Sequence, residues 1–257
     1  MHPPQLDRAR SRAVPGGWPV PETALPSAPP QRILKPSNSM KALLAALLTL
    51  AILPNRLPAE EILFQDDFKG KLGAGWSWVR EHREAWRATE RGLEVRIEPG
   101  NMWGPQNNAR NVLLRPAPDP GTNQIEVSLT VENNPTGQYE QVDLVWYYDD
   151  SNMVKLGQEL VDGQLSIVMG REEQDKTRTV AKLPLDSTRV QLRFLVKGKL
   201  IRGQFRAPIT QVWRDAGECD LPAPPNGTAK LSLQFYQGPP NVEHWARITH
   251  FRVLRLP

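Results

Sequence analysis

Residues 138–160 read QYEQVDLVWYYDDSNMVKLGQEL, two runs of period-two alternation joined by Asp149-Asp150-Ser151-Asn152. Successive side chains of an extended chain point to opposite faces, so this pattern specifies an antiparallel hairpin. Val142, Leu144, Trp146 and Tyr148 share one face with Val154, Leu156 and Leu160 of the second run, and that face belongs to a core. The opposite face carries Gln141, Asp143, Val145 and Tyr147, then Met153, Lys155, Gly157 and Glu159. A strand face that is merely solvated has little use for a tyrosine among amides and charges.

The same alternation recurs from Glu60 onward. Leu93, Val95 and Ile97; Ile125, Val127, Leu129 and Val131; Leu165, Ile167 and Met169; and Val190, Leu192, Phe194 and Val196 each alternate with polar neighbours. Further runs cover Ile201 to Phe205, Leu231 to Phe235 and Thr249 to Val253, with turn residues between runs. Only Arg80 to Arg87 holds a weak helical period. Many short alternating strands imply an antiparallel two-sheet sandwich. About 200 residues suit a jelly roll of about twelve strands better than an immunoglobulin-like domain of about 100 residues. The expected domain is 60–257, since Leu221-Pro222-Ala223-Pro224-Pro225 is too short to separate two domains.

The first 59 residues read differently. Residues 1–39 hold nine prolines and no hydrophobic period, as expected of a disordered leader or of a start codon placed too early, with Met40 the true start. Met40-Lys41 then opens an uncharged run from Ala42 to Leu53. Twelve residues span about 18 Å as a helix, against about 30 Å of membrane hydrocarbon. Residues 40–59 therefore read as a signal peptide cleaved after Ala59, rather than as a buried helix or an anchor. The expected product is secreted or periplasmic, without stable membrane insertion after cleavage.

Charge follows from that division. The formal charge of +4 belongs to the whole chain, while residues 60–257 hold twenty-five Lys and Arg against twenty-six Asp and Glu. No basic surface for nucleic acid is implied. Cys219, the single cysteine, makes no internal disulfide. Asn226-Gly227-Thr228 is a glycosylation sequon only in a eukaryotic secretory pathway.

Several short motifs occur in a fixed order: Asp66-Asp67-Phe68, Trp76-Ser77-Trp78, Ala85-Trp86-Arg87, Asn107 to Arg115, Gln138-Tyr139-Glu140-Gln141, Tyr147-Tyr148-Asp149-Asp150, Val154-Lys155-Leu156 and Glu243 to Arg247. Together they resemble the DUF1349 family of concanavalin A-like lectin/glucanase domains, relatives of the C-terminal β-sandwich of family 43 β-xylosidases. The resemblance covers nearly all of 62–255. It implies an all-β, concanavalin A-like jelly-roll sandwich of two antiparallel sheets, with a concave face that meets carbohydrate in relatives. Fold alone does not assign an activity.

Sugar sites pair an aromatic platform with amides and carboxylates that satisfy hydroxyls. The polar face supplies Gln141, Asp143, Tyr147, Lys155 and Glu159, and the Gly- and Pro-punctuated loop 100–108 adds Trp103 and Asn108. Trp103 is either a sugar platform or a plug over the sandwich edge. Trp146 is a core residue by its period, and Trp76, Trp78, Trp86, Trp213 and Trp245 read as packing. The leading expectation is a monomeric carbohydrate-binding module without catalysis or cofactor. A glycoside hydrolase using Asp143 and Glu159 is the alternative, although the Glu-x-Asp-x-x-Glu strand of the superfamily's glucanases is absent. A structural protein of the cell envelope is the third reading. Asp66 and Asp67 offer calcium-type oxygens, and the resemblance admits a structural calcium there. The plainer reading makes such acids turn formers.

Overall fold

Alternation along the chain becomes two antiparallel sheets packed face to face. The structure is a computed structural model that describes residues 60–210, 212–223 and 228–257. The expected leader (1–39), the expected signal peptide (40–59) and Asn226-Gly227 of the sequon lie outside the described residues. Among the described residues there are fifteen strands: β1 (Glu61–Asp66), β2 (Ser77–Val79), β3 (Trp86–Thr89), β4 (Gly92–Arg96), β5 (Val112–Pro116), β6 (Gln124–Glu132), β7 (Gln141–Asp149), β8 (Asn152–Val161), β9 (Gln164–Glu173), β10 (Lys176–Pro184), β11 (Arg189–Lys197), β12 (Leu200–Arg206), β13 (Arg214–Asp220), β14 (Lys230–Tyr236) and β15 (Trp245–Leu256).

The eight-stranded sheet runs β13-β12-β11-β6-β15-β4-β3, with β1 also paired to β15. The seven-stranded sheet runs β10-β9-β8-β7-β14-β5-β2. This is the all-β concanavalin A-like sandwich that the sequence implies. The long strand β15 serves three partners: β6 along one edge, and β4 then β1 along the other. The weak helical window shrinks to one 3-10 turn, Arg83–Ala85. His82 before it offers no side-chain cap and Trp86 after it is already extended, so nothing supports a second turn. No helix among the described residues is long and apolar enough to cross a membrane.

Between the sheets lie the residues that the period-two reading assigns to the core, among them Val127, Val131, Leu144, Trp146, Leu156, Leu192, Phe194 and Phe251. Burying each large apolar side chain contributes about 1.5–3 kcal/mol, which makes this layer the main source of stability. Strands β7, β8 and β14 are also buried on their outer face, so the centre of the seven-stranded sheet is covered on that side too.

Candidate functional site

Across β7 and β8, the outward residues stand in register as Gln141 opposite Glu159, Asp143 opposite Gly157, and Val145 opposite Lys155. Lys155 faces Gly170 on β9, and Asp143 faces Gln234 on β14. This places amides, acids and one ammonium on neighbouring strands of a single face, because side chains of paired residues point the same way.

A loop closes half of that face. Met102 and Ala109 from the segment before β5 pack on Val112, Leu114, Val145, Tyr147, Met153 and Tyr236, forming a second apolar cluster that Val79 and Trp103 border. The loop is tied by its own asparagines. Asn101 Oδ1 accepts from the Trp103 amide at 3.1 Å, Asn101 Nδ2 donates to the Trp103 carbonyl at 2.8 Å, and Asn108 Oδ1 accepts from the Asn101 amide at 2.9 Å. Gly100, at φ +133, allows the crossing; a Cβ there would lie 2.9 Å from the Ala109 Cα. The Gly104 amide donates to Glu172 Oε2 at 3.1 Å and anchors the loop to β9.

The Trp103 ring then packs closely against the Gly170 backbone. A Cβ on Gly170 would meet Trp103 Cη2 at 2.5 Å, and Lys155 Nζ stands 4.9 Å from the ring centroid. Glycine at 170 is what admits the indole, and the cation beneath the ring is a favourable partner for its face.

Lys155 is the hub of the other half. Its ammonium donates to Gln141 Oε1, to Glu159 Oε2 at 3.3 Å and to the Tyr236 hydroxyl at 3.4 Å, and it stands 3.9 Å from Asp143 Oδ2. Gln141 is itself fixed by donating to the Tyr139 carbonyl at 2.8 Å. Neither oxygen of Asp143 accepts a hydrogen bond of full geometry. Burial pushes Asp143 up to about 6 against the downward pull of Lys155. Burial likewise pushes Glu172 up to about 7, only partly offset by the Gly104 amide. Burial, with the nearby Asp143, also raises the Tyr236 hydroxyl.

Trp103, Gln141, Lys155 and Glu159 line one cleft of ≈ 340 Å³. Asn101, Tyr139, Thr179, Lys182 and Gln237 also line it, above an apolar floor that includes Val161 and Val168. None of these five is among the site residues expected from the sequence. Tyr139, 47% exposed and at φ +65, had one signal: an aromatic in a polar loop next to the patterned strand. Thr179 and Lys182 lie on β10, an edge strand exposed over much of its length, which gives no amphipathic signal.

Other expected site residues fall elsewhere. Tyr147 is 6% exposed, packs under the loop, and donates its hydroxyl to Asp150 Oδ1 at 2.8 Å, so its ring faces Met102 and Met153 rather than solvent. Asn108 is exposed but clamps the loop outside the cleft. Asp143 lies 1% exposed below Lys155. Asp66 Oδ1 accepts from the Phe68 amide at 2.7 Å, and Oδ2 accepts from the Gly73 amide at 2.8 Å and Trp76 Nε1 at 2.9 Å. Those donors point hydrogens into the space where a cation would sit, so Asp66 clamps a turn, while Asp67 is exposed. Among the described residues no three acids, histidines or cysteines gather as a metal site.

A family model described as the beta xylosidase C-terminal concanavalin A-like domain matches residues 65–220. No curated protein matches the chain. Among solved structures, a xylan beta-1,4-xylosidase from Bacillus halodurans aligns at 16% identity and TM-score 0.65, over 79% of this chain and 41% of that one. A GH43 protein from Bacillus licheniformis aligns at 17% identity and TM-score 0.65, over 75% and 39%. A functionally unknown protein from Saccharomyces cerevisiae aligns at 11% identity and TM-score 0.56, over 72% of this chain and 98% of that one. At these identities the likeness is one of fold. The chain spans about two fifths of the length of the two GH43-type chains.

Proposed function

The chain belongs to the family of β-xylosidase C-terminal concanavalin A-like domains, and from that premise we propose that it is an exported glycan-binding module that does not cleave its ligand. Its closer placement with the DUF1349 relatives rests on the ordered short motifs, and export rests on the uncharged run 42–53 behind Lys41. One observation carries the binding role. Trp103, Tyr139 and the Gln141–Lys155–Glu159 array converge on one cleft of ≈ 340 Å³. Two aromatics offer apolar platforms for the C–H faces of a sugar ring. The amide, ammonium and carboxylate between them donate to and accept from its hydroxyls. The buried Lys155 hub holds these groups in place before a ligand arrives, which reduces the ordering cost of binding.

A glycosidase would require two carboxyls about 5–10 Å apart across a scissile bond. Asp143 has one property of a catalytic acid, its upward-shifted pKa. It is nevertheless 1% exposed and covered by Lys155, which favours a role in balancing that ammonium. A glycan array, followed by titration of the best ligand, tests the reading. Neutral oligosaccharides such as xylo-oligosaccharides are expected to bind without release of smaller sugars. Sugar release that disappears in Glu159→Gln would replace this reading with the enzymatic one.

A further inference from the structure

The opposite face of the sandwich carries a second, differently built cleft. On the outer side of the eight-stranded sheet, Ser128 of β6 stands in register between Arg193 of β11 and Arg252 of β15. One position along, Thr130 of β6 stands beside Gln191 of β11, which pairs with Arg206 of β12. Neighbouring strands lie about 4.8 Å apart, so two small hydroxyl residues form a floor with guanidinium groups rising on either side. Arg189 also borders this space, a cleft of ≈ 360 Å³.

Its chemistry is directional. Trp213 closes one wall, with the guanidinium carbons of Arg193 and Arg206 at 4.1 and 4.4 Å from its ring centroid. Arg193 is oriented further by Gln204 at 2.8 Å and Glu126 at 2.9 Å, and Arg206 Nε donates to Gln191 Oε1. Neither Arg189 nor Arg252 has a side-chain partner among the described residues, and both are exposed. Four guanidinium groups thus meet two carboxylates, Glu60 and Glu126, the second already paired with Arg193.

The geometry points to a second ligand site on this sheet, for an acidic oligosaccharide whose successive ring carboxylates are met by Arg189, level with Glu132, and by Arg252, level with Ser128. Arginine presents a planar fork matched to a carboxylate, Ser128 and Thr130 provide hydroxyls for ring oxygens, and Trp213 supplies an apolar edge. A polyphosphate is the less suitable occupant, because residues 60–257 carry slightly more acid than base.

The test is calorimetric titration of the whole protein with oligogalacturonate, with its methyl ester, and with a single-stranded oligonucleotide. The expected result is that oligogalacturonate binds, the ester binds at least about tenfold more weakly, and the interaction fades in about 1 M salt, where the Debye length is about 3 Å. The Arg189→Ala/Arg252→Ala double variant, altered at two exposed positions, should lose at least about tenfold in affinity while Trp103→Ala retains it. Equal binding of acid and ester would overturn the proposal. So would unchanged affinity in the double variant, loss of binding in Trp103→Ala, or an oligonucleotide that binds more tightly than the sugar.

Discussion

The Asp143 carboxylate lies across the backbone of Gly157, its register partner on β8, so closely that a Cβ at 157 would stand 1.7 Å from Oδ1 and 2.7 Å from the Val142 carbonyl. Glycine at 157 is therefore what lets an acid lie flat beneath Lys155. Because backbone as well as side chain opposes the added methyl, Gly157→Ala is expected to cost about 1–3 kcal/mol, lowering Tm by about 2–4 °C per kcal/mol. Thermal unfolding checks this. An unchanged Tm would mean that Asp143 moves freely.

Gly170→Ala gives a contrasting outcome. The three atoms nearest its Cβ would all belong to the Trp103 ring, a side chain on a loop. The indole is expected to swing out of the cleft with a smaller loss of stability. Trp103 fluorescence should shift towards the solvent-exposed range, and glycan affinity should fall.

Glu172 predicts a pH signature. Its folded pKa of about 7 lies above the ordinary carboxylate value of 4.5, so the folded state binds the proton more tightly than the unfolded state does. Its contribution to stability is therefore present below about 4.5 and is lost as pH rises through about 7. Glu172→Gln keeps an acceptor for the Gly104 amide and removes the charge. It should unfold at a higher temperature than wild type at pH 8 and at nearly the same temperature below pH 5, as calorimetry at the two pH values would show.

Tyr147→Phe separates packing from recognition. The hydroxyl's bond to Asp150 is lost while the ring stays among Met102, Met153 and Val145, for a cost of about 0.5–1.5 kcal/mol. Glycan affinity should not change, since Tyr147 does not line the cleft.

At the first strand, Asp66→Ala removes the acceptor of three N–H donors and is expected to cost about 1–3 kcal/mol. A chelator should leave the wild-type Tm unchanged, and a Tm that rises with added calcium would contradict the turn-clamp assignment.

Period two made the core legible wherever one face is buried and the other wet, as in β11, whose burial alternates residue by residue, and in β6, where only Thr130 departs from the alternation. It could not reveal that β7 and β8 are buried on both faces, because the cover comes from residues 100–110, distant in sequence and irregular. Tyr147 therefore read as an open platform. Gln141, Lys155 and Glu159 were legible because their side chains share the register that the alternation defines. Tyr139, Thr179 and Lys182 were not, since a loop and an edge strand bring them in through tertiary pairing alone.

Titration of xylo-oligosaccharide into wild type, Trp103→Ala and Tyr147→Phe puts the cleft beside Trp103 to the test. Stacking on an aromatic ring contributes about 0.5–1.5 kcal/mol beyond area burial, so Trp103→Ala should weaken binding by about tenfold or more while Tyr147→Phe matches wild type. Equal affinities for wild type and Trp103→Ala would contradict the account.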